Sequence, residues 1–444
     1  MALLDRVERW FEFGERQATW RGEITGGATT FLTMAYIVFV QPAVLSQAGM
    51  DFGAVMAATC LSAAIATLIM ALAANYPIAL ASGMGENFFF VYGVVLASGM
   101  VWTDAMSAVF YAGILFVILS LVRARETILI GIPDSLKTAT AVGIGIFIAF
   151  IGLTNAGIVV KGSGALVKLG NPTRPPVLLA LGGLLVMIIM TVRRIRGAIF
   201  WGILATTAVA AMVGMVHLDG IVAAPPSLAP TFARLRWAPL LTSNYIAAIF
   251  VFLFMEVLDT IGTLSAVGKQ GGFFVKGRLP RANRAFLADS LGIVSGAVLG
   301  TTTVTAYVES SAGIAAGART GASNLVVIAG FLLSLLFYPL VKTIGGGVPI
   351  PDGGLLYPIT APALILVGVM MTRLVGSIPW DDLSDAIPAF LIIAGIPLTF
   401  SIADGLALGF AFFPIVKLAA GRHREIHPVM YVLAAVSIAR YAFL

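Results

Sequence analysis

Apolar runs of membrane-crossing length alternate with short polar gaps along almost the whole chain. They fall near 25–47, 53–74, 80–98, 101–122, 134–155, 175–192 and 197–216, and then, beyond a polar, proline-bearing stretch from His217 to Thr242, near 243–267, 283–300, 302–318, 322–344, 355–373, 386–401 and 402–420. A helix needs about 20 apolar residues to cross the hydrocarbon core, so the pattern predicts about seven spans on each side of the linker. A last run, 428–443, follows Arg422, His423 and Arg424 and fits either a further span or a helix lying in the interface.

An odd number of spans in each half means that any homology between the halves is of inverted topology, a device of transporters. The stretch 57–90 parallels 285–314: in each, a long apolar helix runs into a Gly-, Thr- or Pro-interrupted segment, and a glutamate, Glu86 or Glu309, opens a shorter apolar run. Irregular backbone at membrane depth is tolerated only where protein or a cavity satisfies it. The β-rich tract Thr301–Val308 predicts a short strand feeding a half-helix near Glu309, with Pro77–Gly85 as its counterpart before Glu86. Two such strands of opposite direction can pair, which aims two half-helix N-termini at one midplane site.

Composition closes off the soluble alternatives. Hydrophobic residues make up 59% of the chain and charged residues 11%, with a mean hydropathy of +1.00, whereas a soluble domain carries about 25% charged residues. Residues 1–24 mix four arginines with five acids, lack the apolar core of a signal peptide and read as a cytoplasmic amphipathic segment.

The net charge of +6 resides mostly in the gaps, so the cations are topology signals and give no reason to expect nucleic acid. Arg123, Arg125, Arg193, Arg194, Arg196, Lys269, Lys276, Arg278, Arg281, Arg284, Arg319 and Arg373 fall on one side, with the C-terminal cluster; Lys161, Lys168, Arg174, Arg234, Arg236 and Lys342 fall on the other. This asymmetry predicts cytoplasmic N- and C-termini in a multi-pass protein of the cell membrane. The single cysteine, Cys60, sits in an apolar run and excludes a disulfide framework. His217, His423 and His427 have no metal-ligand spacing, so neither a metal nor another cofactor is expected.

Ionisable side chains inside spans are costly, and a functional role is their default reading. They are Glu86, Glu256, Asp259, Asp289, Glu309 and, at a span edge, Asp404. Glu256 and Asp259 are three apart on one helix face, with Thr263 a turn further on. Such acids can accept ring N–H groups, and because burial disfavours the charged form of a carboxyl, one of them can take up a proton with the substrate. Plainer readings stand beside these: Glu309 as an N-cap, Glu256 as a structural buried acid, Asp259 satisfied by Thr260 and Thr263, Asp289 and Asp404 as structural acids, and Glu86 open. The Gly262–Lys269 stretch has the wrong spacing for a phosphate loop, which removes support for ATP coupling.

The runs GMGENFFF (83–90), FMEVLDTIGT (254–263), VTAYVESSAGIAAGARTG (304–321) and IPAFLIIAGIPLTFSIADGLALGF (387–410) closely resemble the AzgA-like hypoxanthine/guanine/adenine permeases of the nucleobase-ascorbate transporter family. The sequence departs from the commonest pattern of that branch at Glu86 and Glu256. The resemblance implies an all-α polytopic membrane protein of fourteen transmembrane segments in two inverted seven-span repeats, with short β-strands in spans 3 and 10. It further implies a core domain (25–122 and 243–344), a gate domain (123–217 and 345–420), an extracellular linker (218–242) and a tail (421–444), with the base bound between core and gate.

Family positions carry over to Gly85, Asn87, Glu256, Asp259 and Glu309; Glu86 joins them, and Phe88 and Tyr307 are candidate stacking partners. The expected activity is secondary active import of a purine base by proton symport, with near-rigid movement of core against gate. The protein is then no enzyme; its partners are the nucleobase, the coupling proton, the lipid bilayer and a second copy in a homodimer. The alternatives are a xanthine or uracil transporter and an anion exchanger of the same fold.

Overall fold

The computed structural model describes residues 2–122, 131–162, 164–236, 242–275, 278–350 and 354–442. Arg123, Arg125 and Lys276, three of the cations used for orientation, lie outside the described residues. A short helix, α1 (Ala2–Trp10), precedes span 1, which is split into α2 (Trp20–Met34) and α3 (Ile37–Leu45). Span 2 is α4 (Phe52–Ile69), wound more loosely over Met70–Ala74 and ended by Asn75 in the left-handed region. Span 3 opens as strand β1 (Leu80–Ser82) and continues as α5 (Met84–Phe88) and a wide helical segment Phe89–Ala97. Span 4 is α6 (Trp102–Val122) and span 5 is α7 (Asp134–Asn155). The hairpin β2 (Val159–Lys161) and β3 (Val167–Leu169) leads to α8 (Pro175–Val192) and α9 (Ala198–Met212), spans 6 and 7.

The second half repeats the theme. Spans 8 and 9 are α10 (Ser243–Gln270) and α11 (Ala282–Leu299), and span 10 is β4 (Val304–Ala306) followed by α12 (Ser310–Ala315). Span 11 is α13 (Ala322–Ser334) and α14 (Tyr338–Gly345), after which β5 (Val348–Pro349) pairs with β6 (Leu355–Leu356). Spans 12, 13 and 14 are α15 (Ala361–Thr372), α16 (Leu383–Thr399) and α17 (Ile402–Ala419). The final helix, α18 (Pro428–Ala442), lies against α17.

Each of the fourteen expected spans therefore has a helical segment. Among the described residues, eight helices are long and apolar enough to cross a membrane on their own. The others are short, broken or, like α11 with Arg284 and Asp289, polar.

The packing falls into two groups of helices. Spans 1, 2, 4, 8, 9 and 11 contact one another around the paired strands, while α7 packs on α15 and α16, α8 on α9 and α15, and α16 on α17. Span 2 meets span 11 as span 9 meets span 4, and span 5 meets span 13 as span 12 meets span 6, the pairing that an inverted repeat produces. Glycines let backbones touch: a Cβ on Gly26 would lie 2.8 Å from Gly313 O, and one on Gly145 2.9 Å from Gly368 O. Close approach through small residues is how helices associate where lipid removes the hydrophobic drive.

At one end of the molecule the N-terminal segment is strapped down. Arg281 donates to Glu12, Arg16 Nη1 donates to Asn75 O at 2.8 Å, and Asn75 Nδ2 donates to Phe11 O at 3.0 Å. The guanidinium of Arg281, hydrogen-bonded to Glu12, holds that carboxyl below its usual range. This places residues 7–18, the turn between spans 2 and 3 and the loop between spans 8 and 9 on one face.

Candidate functional site

The strands β1 and β4 are antiparallel, with Leu80 opposite Ala306, Ala81 opposite Thr305 and Ser82 opposite Val304. At such depth each backbone group needs a partner, and the flanking residues supply them. Gly83 N donates to Thr303 O at 3.1 Å, Tyr307 N to Ala79 O at 2.9 Å, and Ala79 N to Ser310 Oγ at 3.0 Å. Counted from the strand ends at Ser82 and Ala306, Glu309 is the counterpart of Gly85, and Glu86 that of Ser310. The two glutamates thus differ by one position, and span 10 supplies a shorter helix than span 3.

Around this crossing the acids gather. Glu86 lies within electrostatic reach of Asp259 and Asp289, and Glu256 within reach of Glu86, Asp289 and Asp259. Glu256 is fully buried, and neither carboxylate oxygen has a hydrogen-bond partner among the described residues. The Thr303 hydroxyl is near enough to Glu256 to interact with it but falls short of hydrogen-bond geometry, and Asp289 Oδ1 likewise has no well-formed hydrogen bond among the described residues. Asp289 Oδ2 accepts from Thr260, and Asp259 Oδ2 accepts from Thr305 at 3.1 Å. Asp259 is therefore satisfied by span 10 rather than by Thr260 and Thr263 on its own helix. Gly83 leaves room for the Glu86 carboxylate, since a Cβ there would lie 2.3 Å from Glu86 Oε2.

Glu309 stands at the start of α12 but makes no capping bond; its Oε1 accepts from the Tyr36 hydroxyl at 2.9 Å. Asn87 is almost fully enclosed: its Oδ1 accepts from Gln41 Nε2 at 3.1 Å and from Thr302, and its Nδ2 donates to Gln41 Oε1. Gly85 marks the meeting of the helix groups, for a Cβ there would lie 3.0 Å from Ile144 of α7 and 3.5 Å from Met255 of α10. Phe88 is buried and stacked on Tyr92, with ring centroids 5.9 Å apart and planes at 10°. Tyr307 is buried too and donates to Ser82 O at 2.6 Å. Both rings therefore make contacts within the protein.

Gln41 and Tyr36 are polar groups that the sequence reading did not single out. Asp404 sits in the first turn of α17, and its backbone N donates to Ser401 Oγ, the cap of that helix, at 3.2 Å. His217 lies beyond α9. It lines a cavity of about 400 Å³ with Asp219, Tyr338 and Lys342, which contains none of the clustered acids. Glu256 and Asp289 mark the site, because oxygens buried without a well-formed hydrogen bond among the described residues need a ligand or a proton.

The chain is similar to known proteins in sequence and in fold. Residues 21–408 match the model of a family described as the Permease family. The chain belongs to the nucleobase-ascorbate transporter family. It is 49% identical over its whole length to a putative permease of Methanocaldococcus jannaschii, of which it covers 99%. It is 44% identical to the guanine/hypoxanthine permease PbuG of Bacillus subtilis, covering 99% of this chain and 100% of that one. With the adenine permease AdeP of Escherichia coli it shares 39% identity over 99% of this chain and 96% of the other.

Among solved structures, the transmembrane domain of the cyanobacterial bicarbonate transporter BicA has the same fold, with a TM-score of 0.62 at 16% identity over 87% of this chain and 96% of that one. The murine solute carrier 26 family member A9 anion transporter gives a TM-score of 0.61 at 11% identity over 90% and 68% of the two chains. This member of the nucleobase-ascorbate transporter family therefore shares its fold with anion transporters.

Proposed function

We propose that this permease imports purine nucleobases by proton symport. The observation that carries the reading is the cluster of Glu86, Glu256, Asp259, Asp289 and Glu309 around the crossed strands. Among the described residues no lysine or arginine is paired with any of them, since the ion pairs involve Glu12, Asp104, Asp134, Asp382, Asp385 and Glu425. An anion would meet carboxylates there. A purine presents N–H donors along its edge, and carboxylate oxygens accept them. The fold alone does not choose between base and anion; this chemistry, with relatives named for guanine, hypoxanthine and adenine, favours the base.

In this reading Glu256 and Glu309 hold the base edge, Gly85 admits it to the boundary between the helix groups, and Asn87 braces the crossing. Spans 1–4 with 8–11 act as a core, and spans 5–7 with 12–14 as a gate against which the core moves as a near-rigid body. Burial disfavours a charged carboxyl, so an acid that releases its proton inside resets the site. Both termini face the cytoplasm.

The test is uptake of labelled guanine, hypoxanthine, adenine, sulfate and bicarbonate into proteoliposomes. Purine accumulation driven by external acid and abolished by a protonophore is expected. Uptake that needs sodium and ignores the protonophore overturns the coupling, and transport of sulfate or bicarbonate without purines overturns the substrate class.

A further inference from the structure

Span 1 is interrupted at Ala35 and Tyr36, between α2 and α3, at the depth of the acid cluster. The interruption has a polar use. Tyr36 is 2% exposed, and its hydroxyl donates to Glu309 Oε1 at 2.9 Å. Further along α3, Gln41 Nε2 donates to Asn87 Oδ1 at 3.1 Å, Thr301 Oγ1 at 3.0 Å and Thr302 Oγ1 at 2.9 Å. The second half of span 1 thus touches both interrupted spans through side chains, Asn87 of span 3 at one end and Glu309 of span 10 at the other. No second side chain is bonded to Glu309 among the described residues.

We infer that Tyr36 is a positioning residue of the purine site, holding Oε1 of Glu309 so that Oε2 alone is presented to a ring N–H. This deepens the purine reading and rests on Glu309 being a substrate ligand. The terminal torsion of a glutamate is broad and roughly two-fold, so a carboxylate held by one weak constraint must lose that freedom when a ligand binds. A phenol fixed on Oε1 removes the cost beforehand and leaves one acceptor facing the ligand.

The chemistry yields a signature that a purely structural tyrosine lacks. Guanine presents two adjacent donors, the ring N1–H and the exocyclic amine, whereas the corresponding edge of hypoxanthine presents one. Freed from Tyr36, the carboxylate can turn and accept both donors of guanine at once, a compensation closed to hypoxanthine.

The experiment measures equilibrium binding of guanine and hypoxanthine to detergent-purified wild type, Tyr36→Phe, Glu309→Ala, Glu309→Gln and the Tyr36→Phe/Glu309→Gln double variant. In Tyr36→Phe, hypoxanthine should bind about three- to tenfold more weakly while guanine loses less, which shifts the ratio towards guanine. In Glu309→Gln, Tyr36 occupies the amide oxygen and leaves the NH₂ facing the ligand, so binding is as poor as in Glu309→Ala. Adding Tyr36→Phe lets the amide turn and restores part of the affinity, which keeps the test decisive if Tyr36→Phe alone folds badly. Equal weakening of both bases, or no rescue in the double variant, overturns the inference. Glu309→Ala binding like wild type would instead overturn the purine reading of the site.

Discussion

Replacing Gln41 by leucine tests the brace behind the strand crossing. The side chain is fully buried and close in volume to leucine, so the change removes hydrogen bonds without opening much of a cavity. Gln41 Nε2 shares its two N–H groups among three acceptors and Oε1 accepts from Asn87 Nδ2, but the groups it leaves are not equally stranded. Thr301 keeps Thr59 at 3.3 Å and Ser82 at 3.1 Å, and Asn87 Oδ1 keeps the hydroxyl of Thr302. Only the Asn87 amide NH₂ loses its sole described partner.

One buried polar group left unsatisfied costs about 1–3 kcal/mol. For a chain of this size that corresponds to a fall in Tm of roughly 1–6 °C, scaling down the shift of a smaller domain. Purine affinity should fall as well, because Asn87 then has freedom to leave the crossing. Thermal unfolding in detergent with a parallel binding titration measures both. An unchanged Tm with unchanged affinity would refute the brace, and a Tm loss far above this range would mean that several groups are stranded.

Other perturbations separate site from scaffold. Lys417 is buried between Asp385 at 2.7 Å and Glu425 at 2.9 Å, so Lys417→Met should cost at most roughly 3 kcal/mol of stability while purine affinity stays level; a large affinity loss at unchanged Tm would contradict this. The Asp382 carboxyl, bonded by Ser384 and then by Arg422, is held down at about 2 in the folded protein. A depressed carboxylate contributes stability above its unfolded pKa of about 4 that is lost as pH falls towards 2. Tm curves of wild type and Asp382→Asn should therefore differ at neutral pH and converge on acidification, and parallel curves would show that Asp382 contributes nothing. Lys269→Cys, at an exposed position near the end of α10, should resist an impermeant maleimide applied outside intact cells. The native Cys60 is buried and should not react, so labelling from outside would invert the topology.

The apolar runs made most of the fold legible, because spans 5, 6 and 8 are long enough to dominate any hydropathy window. The β-rich tract before Glu309 disclosed β4, and its partner followed from the parallel with Pro77–Gly85. What stayed hidden were polar pairings across distant spans. Glu23 accepts the amides of Arg319 at 2.8 Å, Thr320 at 3.1 Å and Ser323 at 3.0 Å, capping span 11 from span 1, and nothing in residues 1–24 signals that partner.

Gln41 was detectable in principle, as an amide inside the apolar run FLTMAYIVFVQPAVL that had to be paired or functional. Tyr36 carried no such mark, since tyrosine in an apolar run passes for a packing residue. The one-position offset between Glu86 and Glu309 emerged only from strand register, which side-chain chemistry alone does not set. The hairpins at 159–169 and 348–356 lie in short loops where no periodicity accumulates.

On the proposed reading, buried carboxylates hold the base and take up the coupling proton. Glu256 is the sharpest probe, because neither of its buried oxygens makes a hydrogen bond of normal geometry among the described residues. The measurement is calorimetric titration of guanine or hypoxanthine into wild type and Glu256→Ala in two buffers of different ionisation enthalpy, which counts protons bound with the base. Wild type should bind with net proton uptake. Loss of a carboxylate hydrogen bond, worth about 1.5–3 kcal/mol, should weaken Glu256→Ala roughly tenfold to over a hundredfold and remove most of that uptake. Wild-type affinity and an unchanged proton count in Glu256→Ala would contradict the account.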